Sequence, residues 1–390
     1  MNIGIFSECY KPTINGVVMS IEAFRNQLEK KGHRVYIFAP RHKKAVFAPN
    51  VFRVPSITLP TPKDYPIALP FFEFSFLSQI VASLDLDIIH TQHIFSMGGA
   101  GQKLAKKFHL PTIHTYHTMM TEYTHYLPVK ILQGITKRFI IWRSRRFCNR
   151  ADLVIVPSSP IKTVLEKYGI KKEIEVLPTG IELKNFKKLS ENERRTICKK
   201  YKIPNEKKVL LFVGRLAQEK NLDFLLDSFA EILQKDPETF LVFVGNGPYE
   251  QNLKSQIKNL KLQSYVALTG FLPKEETNKL FGAADLFVFP STTDTQGIVL
   301  AESLASGTPV VTINKLGPKD IIKNDKDGFL VPLQKKQFID KILYLLKNDK
   351  IRHQFGYQAQ QNVKKFAIES CTERLIEIYQ ETIKNYQRKQ

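Results

Sequence analysis

Short β-branched and apolar runs alternate with amphipathic stretches along the whole chain. In the first half the runs are Ile3–Phe6, Val35–Phe38, Ile88–Thr91, Thr112–Thr115, Leu153–Val156 and Ile174–Leu177. In the second half they are Val209–Val213, Phe240–Val244, Val266–Thr269, Leu286–Phe289, Val310–Thr312 and Phe329–Pro332. Such a strand–helix rhythm predicts mostly parallel sheets with helices on both faces. A break falls at Pro178-Thr179-Gly180, followed by a polar, Lys-rich stretch from Lys184 to Lys208. The pattern therefore predicts an α/β protein of two Rossmann-like, doubly wound domains, residues 1–180 and 181–365. A last helical stretch, Phe366 to Tyr386, has no strand after it, and the pattern alone lets it pack on either domain.

Composition narrows the class. A length of 390 residues suits two or three domains. With 43% apolar and 24% charged residues, disordered, collagen-like and disulfide-stapled classes are excluded. Cys9, Cys148, Cys198 and Cys371 show no C-x-x-C spacing, which fits a reducing compartment. Met1–Phe6 has no basic n-region and meets Glu8 early, so no secretory leader is expected. The stretch Ile67 to Leu84 contains Glu73 and Gln79, short of the roughly 20 apolar residues a spanning helix needs. A cytosolic protein, or one lying on a membrane surface, is expected. Its 58 Lys+Arg against 37 Asp+Glu give +21. That charge asks for an anionic partner: nucleic acid, anionic lipid or a phosphorylated small molecule.

In open parallel sheets, ligands bind beyond the carboxyl ends of the strands, and polar, glycine-rich segments cluster there in this chain. Two facing sheets with such edges would enclose one cleft. Gly214-Arg215-Leu216-Ala217-Gln218-Glu219-Lys220-Asn221 leaves a strand; Arg215 and Lys220 would both reach one anionic group, or are two solvated cations. Gly245-Asn246-Gly247-Pro248 permits close backbone approach to a ligand, or is an ordinary turn. It is not G-x-G-x-x-G, and the chain holds no P-loop pattern. Ser291 to Glu302 runs from a polar loop into a helix at Gly297, and a helix start suits a diphosphate. Asp294 and Glu302 would accept from hydroxyls of one sugar nucleotide, or are an N-cap and a surface carboxylate. Asn15-Gly16-Val17-Val18 opens a helix, and Gly16 lets backbone approach a ligand. His114 and His117 bracket Tyr116 beyond a strand; His117 suits a sugar hydroxyl or a structural role. The triplets Asp85-Leu86-Asp87 and Asp325-Lys326-Asp327 lie before a strand and in a turn, so no metal site is expected.

Tyr126 to Arg150 carries Lys130, Lys137, Arg138, Arg143, Arg145, Arg146 and Arg150 with no acid, interleaved with Leu127, Phe139, Trp142 and Phe147 among other apolar residues. A basic, aromatic-rich helix suits a membrane surface; a domain helix with a solvated basic face is the plainer alternative. No helix-turn-helix, zinc-finger or RRM pattern supports nucleic acid, which is not expected as a partner.

Taken together, Asn15-Gly16-Val17, His117, Gly214-Arg215-Leu216 with Lys220-Asn221, Gly245-Asn246-Gly247 and Asp294-x7-Glu302 resemble the family 4 retaining glycosyltransferases of GT-B fold, over essentially the whole chain. His90–Ser96, Tyr116-His117-Thr118, Glu122-Tyr123-Thr124-His125-Tyr126 and Ser291–Gly297 are more closely similar to bacterial diacylglycerol glucosyltransferases. Asp294 departs from the family, which often has Glu there. The resemblance implies that Arg215 and Lys220 neutralise the leaving diphosphate, and that the amides of Gly297, Ile298 and Val299 cradle its distal phosphate, with Gln296 alongside. It implies that Glu302 holds the ribose, that Gly270-Phe271-Leu272 contacts the base, and that Asp294 and His117 bind the hexose. The last helix, 366–390, would return to the N-terminal domain, and hinge motion is expected near residues 178–185. The implied activity is retaining, metal-independent transfer of a hexose, glucose from UDP-glucose, to diacylglycerol. The implied site is the cytoplasmic face of a bacterial inner membrane, with the protein peripheral and no cofactor. Hexosyl transfer to a phosphoinositide, glycolipid or polysaccharide is the alternative, and a non-enzymatic membrane- or nucleic-acid-binding scaffold the other.

Overall fold

A computed structural model describes residues 1–58, 66–71, 74–122 and 130–389. The chain forms two units, Met1–Gly180 with Ile368–Gln390, and Ile181–Ala367.

The N-terminal unit runs β1 (Asn2–Phe6), α1 (Gly16–Lys30), β2 (Arg34–Pro40), β3 (Val51–Val54), β4 (Ser56–Thr58), β5 (Pro66–Ala68), α2 (Phe74–Ser83), β6 (Ile88–Thr91), α3 (Ser96–Lys107), β7 (Thr112–Thr115), α4 (Lys130–Cys148), β8 (Leu153–Val156), α5 (Ser159–Lys167) and β9 (Ile174–Val176). Seven strands pair in the order β3-β2-β1-β6-β7-β8-β9, parallel throughout; β4 and β5 form a separate antiparallel pair. Asn15 starts α1 by accepting from the Val18 amide at 2.9 Å, satisfying one of the helix's orphan donors.

The second unit runs α6 (Glu191–Lys200), β10 (Lys208–Val213), α7 (Leu222–Lys235), β11 (Thr239–Val244), α8 (Glu250–Asn259), β12 (Val266–Leu268), α9 (Lys274–Ala283), β13 (Leu286–Phe289), α10 (Ile298–Ala305), β14 (Val310–Ile313), α11 (Pro318–Ile321), β15 (Gly328–Val331), α12 (Lys335–Lys347) and α13 (Asp349–Asn362). Its six strands pair in parallel in the order β12-β11-β10-β13-β14-β15. Helices cover both sheet faces, so the strands must be apolar on both sides. Hence β11 reads Thr-Phe-Leu-Val-Phe-Val and is buried throughout. Phe212, Phe287 and Phe289 stack from neighbouring strands at its centre.

The chain then adds α14 (Ile368–Gln387) to the N-terminal unit. Cys371, Leu375, Ile378 and Tyr379 join Ile3, Ile5, Val18, Ile21 and Ile37 in one core, and α14 lies against α1. On the other sheet face, Phe6, Phe38, Leu77, Val81, Met97 and Leu104 form a second core under α2 and α3.

All twelve apolar runs are strands. The three strands the pattern did not anticipate are β3, interrupted by Arg53, and the three-residue β4 and β5. They are too short or too polar to carry a periodic signal.

Ile378 is fully buried. Ile378→Ala should lower the stability of the N-terminal unit by about 2–5 kcal/mol. The shift is read in urea through Trp142, the chain's single tryptophan, which reports on this unit.

Candidate active site

In the second unit three strand ends are tied into one surface. The Gly214 amide donates to Val244 O at 3.0 Å, the Leu216 amide to Asn246 O at 2.9 Å, and the Gly245 amide to Gly270 O at 2.9 Å. The fit admits no side chain: a Cβ on Gly245, whose φ is +132°, would sit 1.9 Å from the Gly214 carbonyl oxygen, and one on Gly247 would sit 2.1 Å from that of Leu216. These glycines serve close backbone packing between loops, which is more than an ordinary turn requires.

Lys220 ends a short 3-10 turn, Gln218–Lys220. Asn221 follows at φ +52°, and its side-chain amide donates to Pro290 O at 2.9 Å, tying this turn to the end of β13. Lys220 Nζ then reaches both Asp294 oxygens, at 2.9 and 2.7 Å. Both side chains are mostly buried, so each charge depends on the other for compensation. Asp294 is not the N-cap of α10. That place belongs to Gly297, at φ +79°, and the Asp294 carbonyl instead accepts from the Gly317 amide at 3.1 Å. Glu302 is not a surface carboxylate: it is buried and paired with Lys274 Nζ. Lys274 escaped the sequence reading, although it directly follows Gly270-Phe271-Leu272-Pro273. Arg215 is exposed at the end of β10. Phe271 is exposed, and Leu272, Ile298 and Val299 pack against the core; Gln296 is buried. Ser291 Oγ and Thr293 Oγ1, buried beside Asp294 in sequence, have no hydrogen-bond partner among the described residues.

In the N-terminal unit four histidines gather at the ends of β6 and β7. His90 Nδ1 meets Tyr379 OH at 2.7 Å and its Nε2 meets Thr115 Oγ1 at 2.7 Å. His93 Nδ1 accepts from the Glu8 amide at 3.1 Å. His114 Nδ1 meets Thr91 Oγ1 at 3.0 Å. His117 Nε2 donates to Gln92 Oε1 at 2.6 Å. Gln92, His117, Ser20, Phe24, Leu177 and Thr179 line a small cavity in this unit. Burial pushes His90, His114 and His117 down to about 3 and His93 to about 4. His117 is therefore neutral, suited to hydrogen bonding rather than to proton transfer near neutrality. Gly16 is the first residue of α1, with open space where a side chain would be.

Among the described residues, no group of three His, Cys, Asp or Glu is placed to hold a metal ion. Asp327, from the second Asp triplet, is buried and holds the Lys323 amide and the Asn362 side chain; burial raises it to about 6. The acceptor-like residues Tyr123, Thr124, His125 and Tyr126 lie outside the described residues, as does Leu127.

Two doubly wound parallel units with glycine-rich strand ends are the architecture of the GT-B glycosyltransferases. Residues 14–185 match the family model described as Glycosyltransferase Family 4, and residues 193–362 the model described as Glycosyl transferases group 1. The chain is 38% identical to an alpha-monoglucosyldiacylglycerol synthase from Streptococcus pneumoniae, over 80% of this chain and 70% of that protein. It is 29% identical to an alpha-monoglucosyldiacylglycerol synthase from Acholeplasma laidlawii, over 95% and 94%. A solved sucrose-phosphate synthase from Thermosynechococcus elongatus shares the fold with a TM-score of 0.80, covering 97% of this chain and 98% of its own at 20% identity. The chain belongs to glycosyltransferase family 4. It is a glycosyltransferase.

The histidine cluster sets a pH dependence. Unfolded histidines take up protons below about 6.5, whereas these four stay neutral in the folded unit until about 3–4. Their contribution is fully present above about pH 6.5 and is lost as pH falls, with a slope of up to about 1.4 kcal/mol per pH unit for each histidine. The urea midpoint read at Trp142 should drop steadily between pH 7.5 and pH 5. A flat midpoint would contradict the assigned burial.

Proposed function

We propose that the enzyme transfers glucose from UDP-glucose to diacylglycerol at an anionic membrane surface, with retention at the anomeric carbon and without a metal ion. The two glucosyldiacylglycerol-synthase relatives support the acceptor class.

The observation that carries the lipid acceptor is the outward face of α4. Its inner side buries Ile140, Ser144, Phe147 and Cys148, as any domain helix would. Yet Leu132, Ile135, Phe139 and Trp142, spaced three, four and three apart on one stripe, are 47%, 59%, 54% and 45% exposed. Lys137, Arg138, Arg145 and Arg146 are exposed around them, and Arg146 lies over the Trp142 ring at 5.7 Å. Arg143 is half-buried; the Lys130 side chain lies outside the described residues. A solvated basic face has no use for four large apolar side chains. A bilayer takes both, at about 1 kcal/mol per cation near anionic lipid.

On the donor side, departure of the nucleoside diphosphate builds negative charge. Lys220 would exchange Asp294 for phosphate oxygens, with Arg215 beside it and the Gly297, Ile298 and Val299 amides at the start of α10. Asp294, released, would accept from hexose hydroxyls; His117, neutral in the N-terminal unit, suits a hydrogen bond to a sugar hydroxyl. Glu302 would exchange Lys274 for the ribose hydroxyls, and Gly270-Phe271-Leu272 would meet the base. Fixed cations and helix-end amides supply the electrophilic assistance that a metal supplies elsewhere.

The test is transfer from radiolabelled UDP-glucose, UDP-galactose and GDP-mannose to diacylglycerol in phosphatidylglycerol vesicles, with and without EDTA. Glucosylated lipid of α configuration, insensitive to EDTA, is expected; label appearing only on water-soluble acceptors would sink the lipid assignment. Lys220→Ala should lower kcat by about a hundredfold or more, whereas a binding scaffold would show no turnover to lose.

A further inference from the structure

The apolar, cationic surface of the N-terminal unit does not stop at α4. Phe71, three residues before α2, and Phe76, in its first turn, are 56% and 54% exposed. They belong to the same surface because α3 touches both neighbours. Toward α4, Gln102 Nε2 donates to Phe147 O at 3.0 Å. Gly98 leaves room for the Phe147 ring, and a Cβ on Gly99 would meet Arg143 Nη2 at 4.0 Å. Toward α2, one turn beyond Gly99, Lys103 Nζ lies 4.4 Å from the centre of the Phe71 ring, and Lys107 Nζ donates to Ser78 Oγ at 2.6 Å. Arg143 and Lys103 thus occupy the ground between the α4 stripe and the Phe71–Phe76 pair.

The charge pattern says what covers this face. Helices α2, α3 and α4 contain no Asp or Glu, the one acid between Phe71 and Phe76 in sequence being Glu73 just before α2, while α3 and α4 carry Lys103, Lys106, Lys107, Lys130, Lys137, Arg138, Arg143, Arg145 and Arg146. A protein partner of mixed charge would not require three helices stripped of acids. A sheet of anionic headgroups over hydrocarbon does, since any carboxylate on the face would be repelled and desolvated there.

We propose that the membrane footprint is a three-helix face, with Phe71 and Phe76 as a second apolar anchor and Lys103 with Arg143 as a cationic seam against anionic phospholipid. The proposal rests on the membrane reading of α4 given above. It adds orientation: a single helix lying in the interface leaves the protein free to roll about that helix axis, and an anchor off the axis stops the roll. The N-terminal unit is then held at one tilt to the bilayer, and the diacylglycerol acceptor enters from a constant direction.

Trp142 is the only tryptophan, so insertion can be read one position at a time. In the full chain, Phe71→Trp combined with Trp142→Phe should be quenched by bromine-labelled phosphatidylcholine in vesicles containing phosphatidylglycerol, within about twofold of Trp142 in the unsubstituted chain. Phe76→Trp in the same background is the second reporter should the first fail to fold. Phe71→Ser with Phe76→Ser should weaken vesicle binding about tenfold or more, and Lys103→Gln should weaken it in proportion to the phosphatidylglycerol content, with melting temperature as the fold control. Quenching at position 142 but at neither 71 nor 76 overturns the proposal and leaves the α4 reading standing. Quenching at none of the three overturns both, as does self-association of the chain through this face in place of vesicle binding.

Discussion

The contact on which the strand-end surface of the second unit depends is backbone against backbone. The Gly214 carbonyl presses on the α-carbon of Gly245, with no space for even a methyl group between them. Parallel pairing of β10 with β11 brings the two strand ends level, and only glycine lets the loops beyond them merge. Once merged, they offer amides and carbonyls at fixed positions, with Arg215 on one branch and Lys220 at its far end. Asn221, bonded to Pro290, then fixes the distance between that branch and the loop carrying Asp294. The polar chemistry is thus placed by steric exclusion at a residue that itself has no functional group.

Both acidic residues of the Asp294-x7-Glu302 pair are held by lysines: Lys220, mostly buried, and Lys274, nearly half exposed. Such pairs do little for stability, because desolvation offsets most of the attraction. Their value lies in position: Lys220, Asp294 and Glu302 are largely withdrawn from water, Lys274 stays partly exposed, and each carboxylate is held against a lysine.

The strand–helix rhythm was legible because parallel strands covered on both faces must be apolar runs bounded by polar strand ends, and all twelve such runs appear. β3, β4 and β5 were not, because edge strands and three-residue pairs carry too few buried positions to leave a pattern. Spacing pointed to Lys220 and Asp294 as polar groups beyond strand ends and to Glu302 a turn into the helix, but it left an N-cap Asp294 and a surface Glu302 open, and the structure removes both. A residue's burial depends on what crosses over it, and neither Lys274 nor the Gly317 turn is near in sequence. The Gln92–His117 bond, between residues 25 apart, and the exposed Phe71–Phe76 pair are likewise properties of packing. The two-sided character of α4 was half visible: its basic charge could be read from composition, its outward apolar stripe only from exposure.

Tyr379 reaches from the last helix to His90, at the heart of the N-terminal sheet, and Leu375 and Ile378 complete the core around it. During synthesis, residues 1–180 therefore leave the ribosome with part of one sheet face, beside α1, uncovered. The stretch 181–367 is contiguous and can finish its own core first. The N-terminal unit must then wait, its apolar floor open to chaperones, until the closing helix emerges nearly two hundred residues later.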